Sequence, residues 1–412
     1  MTTALLTDRY ELTMIESALR SGQAARECVF EVFGRRLPGE RRYGVLAGTG
    51  RVLEAVEAFR FGQAELDWLA DESVVDDATL AWLADFHFTG SIEGYREGEV
   101  YFPGSPVLTV RGTFAEAVVL ETVVLSILNY DSAVATAAAR MVSAADGRPL
   151  AEMGSRRANE SAAVAAARAA YIAGFSATSN LEAGRTWGVP TMGTAAHSFT
   201  LLHDSEEEAF RAQVDSLGSG TTLLVDTYDV RTAIETAVRV AGPSLGAVRL
   251  DSGDLPSLVR EVRAQLDSLG ATATRITVTN DLDETSIAAL RGAPVDAFGV
   301  GTSVVTGSGS PAAGFVYKLV ARRDAASGEW MPVAKSSPGK VSAGGAKRAQ
   351  RLLRDSVAVA DRIVVDDDRD GVPEGLEPDA AVSARELTVP LMVEGTAEPR
   401  WLGPEGVRIA RD

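Results

Sequence analysis

Several things are scarce in this chain, and each scarcity excludes something. Its 412 residues hold one cysteine, Cys28. A single thiol cannot build an intrachain disulfide, a zinc cluster or an iron–sulfur site. Positive charge is in deficit, with 40 Lys and Arg against 57 Asp and Glu and a net charge of −17. A nucleic-acid partner would need a cationic surface, so that class is excluded. Small anionic ligands need only a local cationic pocket; the arginines cluster at Arg35-Arg36, Arg41-Arg42 and Arg156-Arg157, where any one pair reads first as a solvated face. The N-terminus, MTTALLTDRYELTM, has no basic segment followed by an apolar run. No stretch reads as the roughly 18 apolar residues of a membrane helix. The expectation is a soluble cytoplasmic protein without a membrane partner. Histidine is also rare: only His87, His197 and His203 occur. His197 stands in GTAAHSF, between two alanines and two hydroxyl- or ring-bearing neighbours, and that placement asks for a reason.

What is present reads as a large globular protein. Apolar residues make up 46% and charged residues 24%, enough for a sizeable core. The length suggests two or three domains, or one barrel with attachments. Thr7-Asp8 precede a helical pattern carrying Tyr10, Met14 and Leu19. CVFEVFG, 28–34, alternates as a strand, and 45–62 reads as a short strand, a glycine turn and an amphipathic helix. Residues 87–114, punctuated by glycine and proline, read as antiparallel strands. From 115 a single long helical pattern begins, and apolar strand-like runs then alternate with helical ones to about 320. After 320 the runs become short and strand-like again. This texture predicts an α/β fold: an irregular (β/α) barrel over 115–320, plus a smaller mixed α+β domain in which 321–412 return to 1–114.

In such folds the ligand site lies at the carboxyl ends of the strands. Small, acidic and hydroxyl residues fall there: Glu152, Ser179, Thr194 with His197, Asp226, Asp251, Asp281, and Gly301 with Thr302. Helix capping accounts for some of them, but not for Arg249, His197 or the glycines. In GAVRLDSGDL, alternation points Arg249 and Asp251 to one face, a cation beside a carboxylate. AFGVGTSVVTGSG lets backbone amides approach a phosphate; it is neither GxGxxG nor a Walker loop. Two motifs are decoys. Asp366, Asp368, Asp370, Gly371 and Glu377 fit a calcium-loop pattern, but IVV precedes them, Pro373 interrupts, and no helix flanks, so an acidic hairpin turn is expected. IVVDDD lacks the small phosphate loop that follows it in the first class of phosphoribosyltransferases.

LLTDRYELTM, EMGSRR, ATSNLEAG, GTAAHSF, VDTYD, RLDSGD and FGVGT occur in that order. Together they closely resemble the nicotinate phosphoribosyltransferase family, with weaker similarity to the nicotinamide enzymes, and the resemblance runs through KSSPGKVSAGGAKRAQR. It implies attack of nicotinate on phosphoribosyl pyrophosphate, coupled to ATP hydrolysis, with Mg2+ required and its ligands left open. It also implies a homodimer with shared sites. His197 matches the phosphorylated histidine, with Ala195 and Ala196 leaving room for phosphates. Asp226 and Asp251 match the acidic pair near ribose, pyrophosphate and magnesium. Tyr10 matches a ring-stacking tyrosine, and Arg156 a contact to the ring carboxylate or the ribose phosphate. Met153 stands where the family often has an aromatic residue. Asp281 matches a ribose-hydroxyl acid, beside Asn280 where the amide enzyme has glycine. Gly301 and Thr302 match the 5′-phosphate site. Ser179 replaces the aspartate of the amide enzymes; with Thr194 and Arg249 it favours an acid substrate. The implied reading gives Lys335, Lys340 and Lys347 a loop that could close over ATP or pyrophosphate, His203 a surface helix start, and His87 a domain-packing role. Alternatives are a nicotinamide or quinolinate phosphoribosyltransferase, or a catalytically idle nucleotide-binding homologue.

Overall fold

A computed structural model describes residues 2–335, 343–365 and 382–412. The calcium-loop pattern at 366–377 and Lys340 lie outside the described residues. The chain forms two compact units, one from 1–133 with 312–412 and the other from 134–311. The division falls inside a helix instead of at 114/115, and the unit built from both ends is the larger of the two rather than the smaller.

The first unit begins with α1 (Arg9–Arg20), β1 (Glu27–Gly34), β2 (Gly44–Val45), α2 (Thr49–Glu57), α3 (Gln63–Asp71), α4 (Asp77–Ala84), β3 (Ser91–Tyr95), β4 (Val100–Tyr101) and β5 (Leu108–Thr113). The expected single helix from 115 is two, α5 (Phe114–Val118) and α6 (Glu121–Ala145). A capping box at Thr113 and Glu116 starts α5. The second start is capped from far away in the chain: the Glu11 carboxylate accepts from Thr122 N at 2.9 Å and Thr122 Oγ1 at 2.7 Å. By length and composition Phe114–Ala145 is apolar enough to cross a membrane, which corrects the reading that no stretch qualifies. Its apolar window is 61% buried in protein, as in a core helix.

Glu11 is fully buried. Burial pushes its carboxyl from an ordinary 4.5 up to about 7, against the Thr122 hydrogen bonds and with help from Glu121 and Asp8. An acid whose folded pKa is raised holds its proton preferentially in the fold. Its stabilisation is complete below the unfolded value and is lost as pH rises through about 7. Thermal unfolding across about pH 5 to 8 should show stability falling, and Glu11→Gln should flatten that slope; an unchanged slope would remove Glu11 as its source.

The second unit contains β6 (Leu150–Glu152), α7 (Glu160–Ile172), β7 (Ala177–Thr178), α8 (Leu181–Trp187), α9 (His197–Leu202), α10 (Glu206–Leu217), β8 (Thr222–Leu224), α11 (Val230–Ala241), β9 (Ala247–Leu250), α12 (Leu255–Ser268), β10 (Arg275–Thr279), α13 (Glu284–Ala289), β11 (Ala297–Val300) and α14 (Thr302–Val305). Its six strands are all parallel, in the order β7-β6-β11-β10-β9-β8. Among the described residues β7 and β8 do not pair, so the expected irregular barrel is a curled half-barrel. Val248, Leu250, Ile276, Val278, Phe298 and Val300 are all buried at every second position of neighbouring strands, so they form one buried face of the sheet. The alanine run of α7 is buried along most of its length. Its fully buried Arg168 lies over the Trp187 ring at 4.6 Å, so small side chains let that helix pack closely.

The returning segment adds β12 (Phe315–Arg323), β13 (Trp330–Pro332), β14 (Lys347–Arg354), β15 (Val357–Val365), β16 (Val382–Glu386), β17 (Thr388–Val393), β18 (Thr396–Ala397) and α15 (Gly403–Arg411). β12 pairs with β1 and β17 with β3, giving a seven-stranded antiparallel sheet, β13-β12-β1-β5-β3-β17-β18. A three-stranded sheet, β15-β14-β16, and the pair β2-β4 complete the unit. Lys347 is held by the buried Glu31, its Nζ 2.7 Å from Oε2, so it is a structural cation of this unit and not a free phosphate ligand. His87 is exposed, with Nδ1 3.1 Å from the Asp85 carbonyl. Strand-like alternation sends Phe86 and Phe88 into the core and His87 outward, which corrects the packing role expected for it.

Candidate functional site

The parallel sheet of the second unit delivers the site residues to one rim. Following the sheet order, they are Ser179 after β7, Met153 after β6, Gly301 and Thr302 after β11, Asp281 after β10, Asp251 after β9 and Asp226 after β8. The loop after Val189 supplies the rest. It runs beside β7, with Thr178 N donating to the Pro190 carbonyl at 2.9 Å and Met192 N to the Thr178 carbonyl at 2.9 Å. It then passes through Thr194 to His197, the first residue of α9.

His197 is the centre of the arrangement. Its Nδ1 lies 3.1 Å from Thr227 Oγ1. Its Nε2 faces two carboxylates, Asp226 Oδ1 at 4.0 Å and Asp251 Oδ2 at 3.9 Å. The Asp226 side chain is 1% exposed. Its Oδ2 accepts from Asp251 N at 2.8 Å and Ser252 Oγ at 2.7 Å, while the buried Oδ1 has no hydrogen-bond partner among the described residues. Thr279 Oγ1 donates to Asp251 Oδ1. Three adjacent strands, β8, β9 and β10, thus lock the acid pair from below and leave one oxygen of each toward the imidazole.

Arg249 donates from Nη1 to Thr194 Oγ1 at 2.6 Å, and its buried Nε has no hydrogen-bond partner among the described residues. It makes no close ion pair with Asp251, contrary to a simple structural pairing. Burial pulls its guanidinium below the ordinary range, Asp251 and Asp226 oppose that, and Arg156 adds to the depression. Arg156 is therefore within electrostatic reach of Arg249, on an exposed single turn, Ser155–Arg157.

The side of the rim where the phosphate cradle was expected is built by close approach. Met153 N donates to the Val300 carbonyl at 2.8 Å. A methyl group on Gly154 would overlap Val305 Cγ1 and come 2.8 Å from the Gly301 carbonyl oxygen. On Gly299 it would fall 2.6 Å from Thr279 Cγ2 and 2.7 Å from Met153 Sδ. Only glycine lets these three strand ends meet. Glu152 is fully buried and accepts from Thr178 Oγ1 at 2.5 Å and from Gly154 N; burial raises its carboxyl above the usual range despite both donors. It is a turn anchor rather than a rim ligand. Asp281 is exposed with φ of +36°, a left-handed conformation that aspartate tolerates and that recurs at functional sites.

Tyr10 belongs to the first unit, on α1, and is 46% exposed. Partial burial and the carboxylates of Glu121, Glu11 and Asp8 push its phenol up to about 12, so it presents a neutral ring. His203 ends α9 instead of starting a helix; its Nδ1 is 2.8 Å from the Phe199 carbonyl and its ring meets Phe199 edge-on.

Sequence reading missed Thr227 and Thr279, each of which holds a predicted residue. It also missed Glu206, whose half-buried carboxyl is pushed up to about 7 by burial and by Asp229 and Asp226. Thr227 sits within the quoted VDTYD and Glu206 leads the acidic start of α10, but nothing local marks either as facing the site.

Segment 5–129 matches the family model for the nicotinate phosphoribosyltransferase N-terminal domain. The chain is 58% identical to a nicotinate phosphoribosyltransferase of Mycobacterium tuberculosis, over 95% of this chain and 86% of the relative. It is 38% identical to the Bacillus subtilis nicotinate phosphoribosyltransferase, over 86% and 74% respectively. Among solved structures it is similar to human nicotinic acid phosphoribosyltransferase, with a TM-score of 0.81 at 27% identity, covering 98% of this chain and 92% of the human one. A nicotinate-nucleotide pyrophosphorylase from Pyrococcus furiosus superposes with a TM-score of 0.79 at 24% identity, over 98% and 93%, a likeness of fold alone.

Proposed function

The chain belongs to the nicotinate phosphoribosyltransferase family, and from that premise we propose how its rim carries out the reaction in NAD salvage. The pyridine nitrogen of nicotinate forms a bond to the anomeric carbon of phosphoribosyl pyrophosphate as the bond to pyrophosphate breaks, giving nicotinate mononucleotide. In a separate step His197 Nε2 takes the γ-phosphoryl group of ATP as the β–γ bond breaks and ADP leaves, and water later cleaves the N–P bond to release phosphate. The observation that carries this reading is the imidazole itself: Nδ1 is held by Thr227 and Nε2 is turned toward Asp226 and Asp251. With Nδ1–H donating to the Thr227 hydroxyl, Nε2 keeps its lone pair for phosphorus.

The same acids would repel triphosphate and pyrophosphate unless a cation stood between. Magnesium binds through one or two carboxylates plus substrate phosphates, without a protein cage. That suits this rim, where the buried Asp226 Oδ1 lacks a partner and Asp251 stands beside it. No group of three or more acids, histidines or cysteines that could hold a metal occurs among the described residues. Asp226 and Asp251 would hold the ion, which would neutralise the leaving pyrophosphate. Gly301 and Thr302 bind the 5′-phosphate, Asp281 grasps the ribose hydroxyls, and Met153 covers a ring face. Arg249, Thr194, Ser179 and Arg156 receive the carboxylate of nicotinate.

ATP and phosphoribosyl pyrophosphate are multiply charged anions that do not cross bilayers, which supports a cytoplasmic reaction. A homodimer with shared sites accounts for apolar side chains left exposed beside the rim, Leu181, Leu201, Leu202 and Tyr228, and for the exposed ring of Tyr10. A mixture of Tyr10→Ala and His197→Ala protein should turn over faster with ATP than the sum of the two variants' separate activities; strict additivity of the two residual activities would argue against sharing.

The deciding assay is product formation from nicotinate, phosphoribosyl pyrophosphate and magnesium, with and without ATP, against nicotinamide and quinolinate. Comparable turnover of nicotinamide would overturn the assignment of Ser179. Ser179→Asp is expected to lower kcat/KM for nicotinate about tenfold or more through like-charge repulsion, and to favour the amide, whose NH2 an aspartate accepts.

A further inference from the structure

A second cavity, wholly within the first unit, has a chemistry that the reaction does not use. It measures about 510 Å³, within the usual range for small-molecule sites, roughly 300–1,000 Å³. One wall is the face of α1 carrying Met14 and Ser17; the others are Cys28 of β1, Phe114, and Leu319 and Arg322 of β12, with Arg26 at the edge.

The register explains why these side chains converge. Cys28 is the cross-strand partner of Arg322, and Phe30 that of Leu319, with a bulge between Val29 and Phe30. The bulge puts Leu319 and Arg322 on the same sheet face as Cys28 and Phe30. Met14, Phe114 and Leu319 are the partly buried fringe of the main apolar core. The cavity is therefore an opening in the core's edge, with an apolar floor.

Its mouth is cationic in a protein whose net charge is −17. Arg26 is fixed by bonds from Nε to the Arg323 carbonyl at 2.6 Å and from Nη1 to Gln23 Oε1 at 3.1 Å, both uncharged acceptors. The Arg322 guanidinium has no hydrogen bond or ion pair among the described residues. The neighbouring carboxylates are engaged: Glu27 pairs with Arg323 at 3.1 Å, and Asp324 caps its own turn through Ala326 N and Ser327 N. Both Arg26 and Arg322 act electrostatically on the Cys28 thiol, which places them at the cavity. Asp324 acts on Arg26 only at a distance, without an ion pair, and Arg322 has no close acidic partner among the described residues, so an anion entering the hollow would meet two guanidiniums not matched by carboxylates at contact distance.

We propose that this cavity is a binding site for a small organic anion, an aromatic or aryl-alkyl body buried against Met14, Phe114 and Leu319 with its carboxylate or sulfonate on Arg322 and Arg26. The proposal rests on residues of the first unit alone and stands whether or not the assignment of the nicotinate rim is correct.

The test uses the full chain and 8-anilinonaphthalene-1-sulfonate, read by fluorescence, with 4-phenylbutyrate and 4-phenylbutanamide as competitors. One saturable site per chain is expected, displaced by the acid and not by its amide. Arg322→Gln should weaken the probe about tenfold or more, the loss of one charge-assisted contact. Ser17→Trp, which fills the cavity, should abolish binding, while both variants keep nicotinate turnover as evidence of folding. Equal displacement by the amide, or undiminished binding in both variants, would overturn the proposal. So would a change of oligomeric state on Arg322→Gln in light scattering, which would assign the hollow to a second copy of the chain.

Discussion

In His197→Ala, incubation with ATP should no longer add the mass of one phosphoryl group to the intact protein, and nicotinate turnover should become indifferent to ATP. The expectation follows from what the imidazole touches. Its Nε2 is the atom turned to the acid pair, and Nδ1 is occupied by Thr227 at 3.1 Å. Removing the ring removes the acceptor and leaves the carbon–nitrogen chemistry to the phosphate cradle, the ribose acids and the carboxylate site. Thr227→Val makes the smaller change: the ring stays but loses the acceptor that fixes its tautomer. Phosphorylation should slow about three- to tenfold, the worth of a neutral hydrogen bond. The two variants separate the nucleophile from its positioning partner. A phosphoryl mass retained in His197→Ala would move the acceptor elsewhere, and the coupling assigned to this rim would fall with it.

The rim was legible because strand, loop and helix alternate from about 150 to 305, and parallel strands must all end on one side. That rule alone gathers Asp226, Asp251, Asp281 and Thr302. What it cannot give is which strands are neighbours. β11 lies between β6 and β10, and only that order brings Gly301 against Gly154 and Met153. The contacts that hold the acids, from Thr279 to Asp251 and from Ser252 to Asp226, likewise cross between strands whose adjacency is a property of the folded sheet. The break between α5 and α6 was hidden for a related reason. Its cap, Glu11, is 111 residues away from Thr122, and no local pattern of AEAVVLETVV announces it. Lys347 looked available in a glycine-rich basic stretch until β14 put it on Glu31.

Arg249→Met is the substitution expected to cost substrate discrimination most. Arg249 is the cation that β9 projects among Thr194, Asp226 and Asp251, and burial already works against its charge. The proposed anion would meet the Arg249 Nε, which has no hydrogen-bond partner among the described residues. Methionine keeps the length and apolar volume but removes the charge. The acid substrate then meets Asp226 and Asp251 uncompensated, so kcat/KM for nicotinate should fall about 100-fold, as a charge-assisted bond of about 3 kcal/mol requires. The loss should fall mainly on KM, because the carboxylate is bound in ground state and transition state alike. Turnover of nicotinamide, which brings no charge to Arg249, should change far less, so the acid-to-amide ratio collapses. Arg249→Lys should recover part of the affinity and little of the ratio, since an ammonium cannot reproduce the planar fork shared between Thr194 and a carboxylate. Equal losses on both pyridines would reassign Arg249 to holding the acid pair and leave Ser179 and Arg156 to choose the substrate.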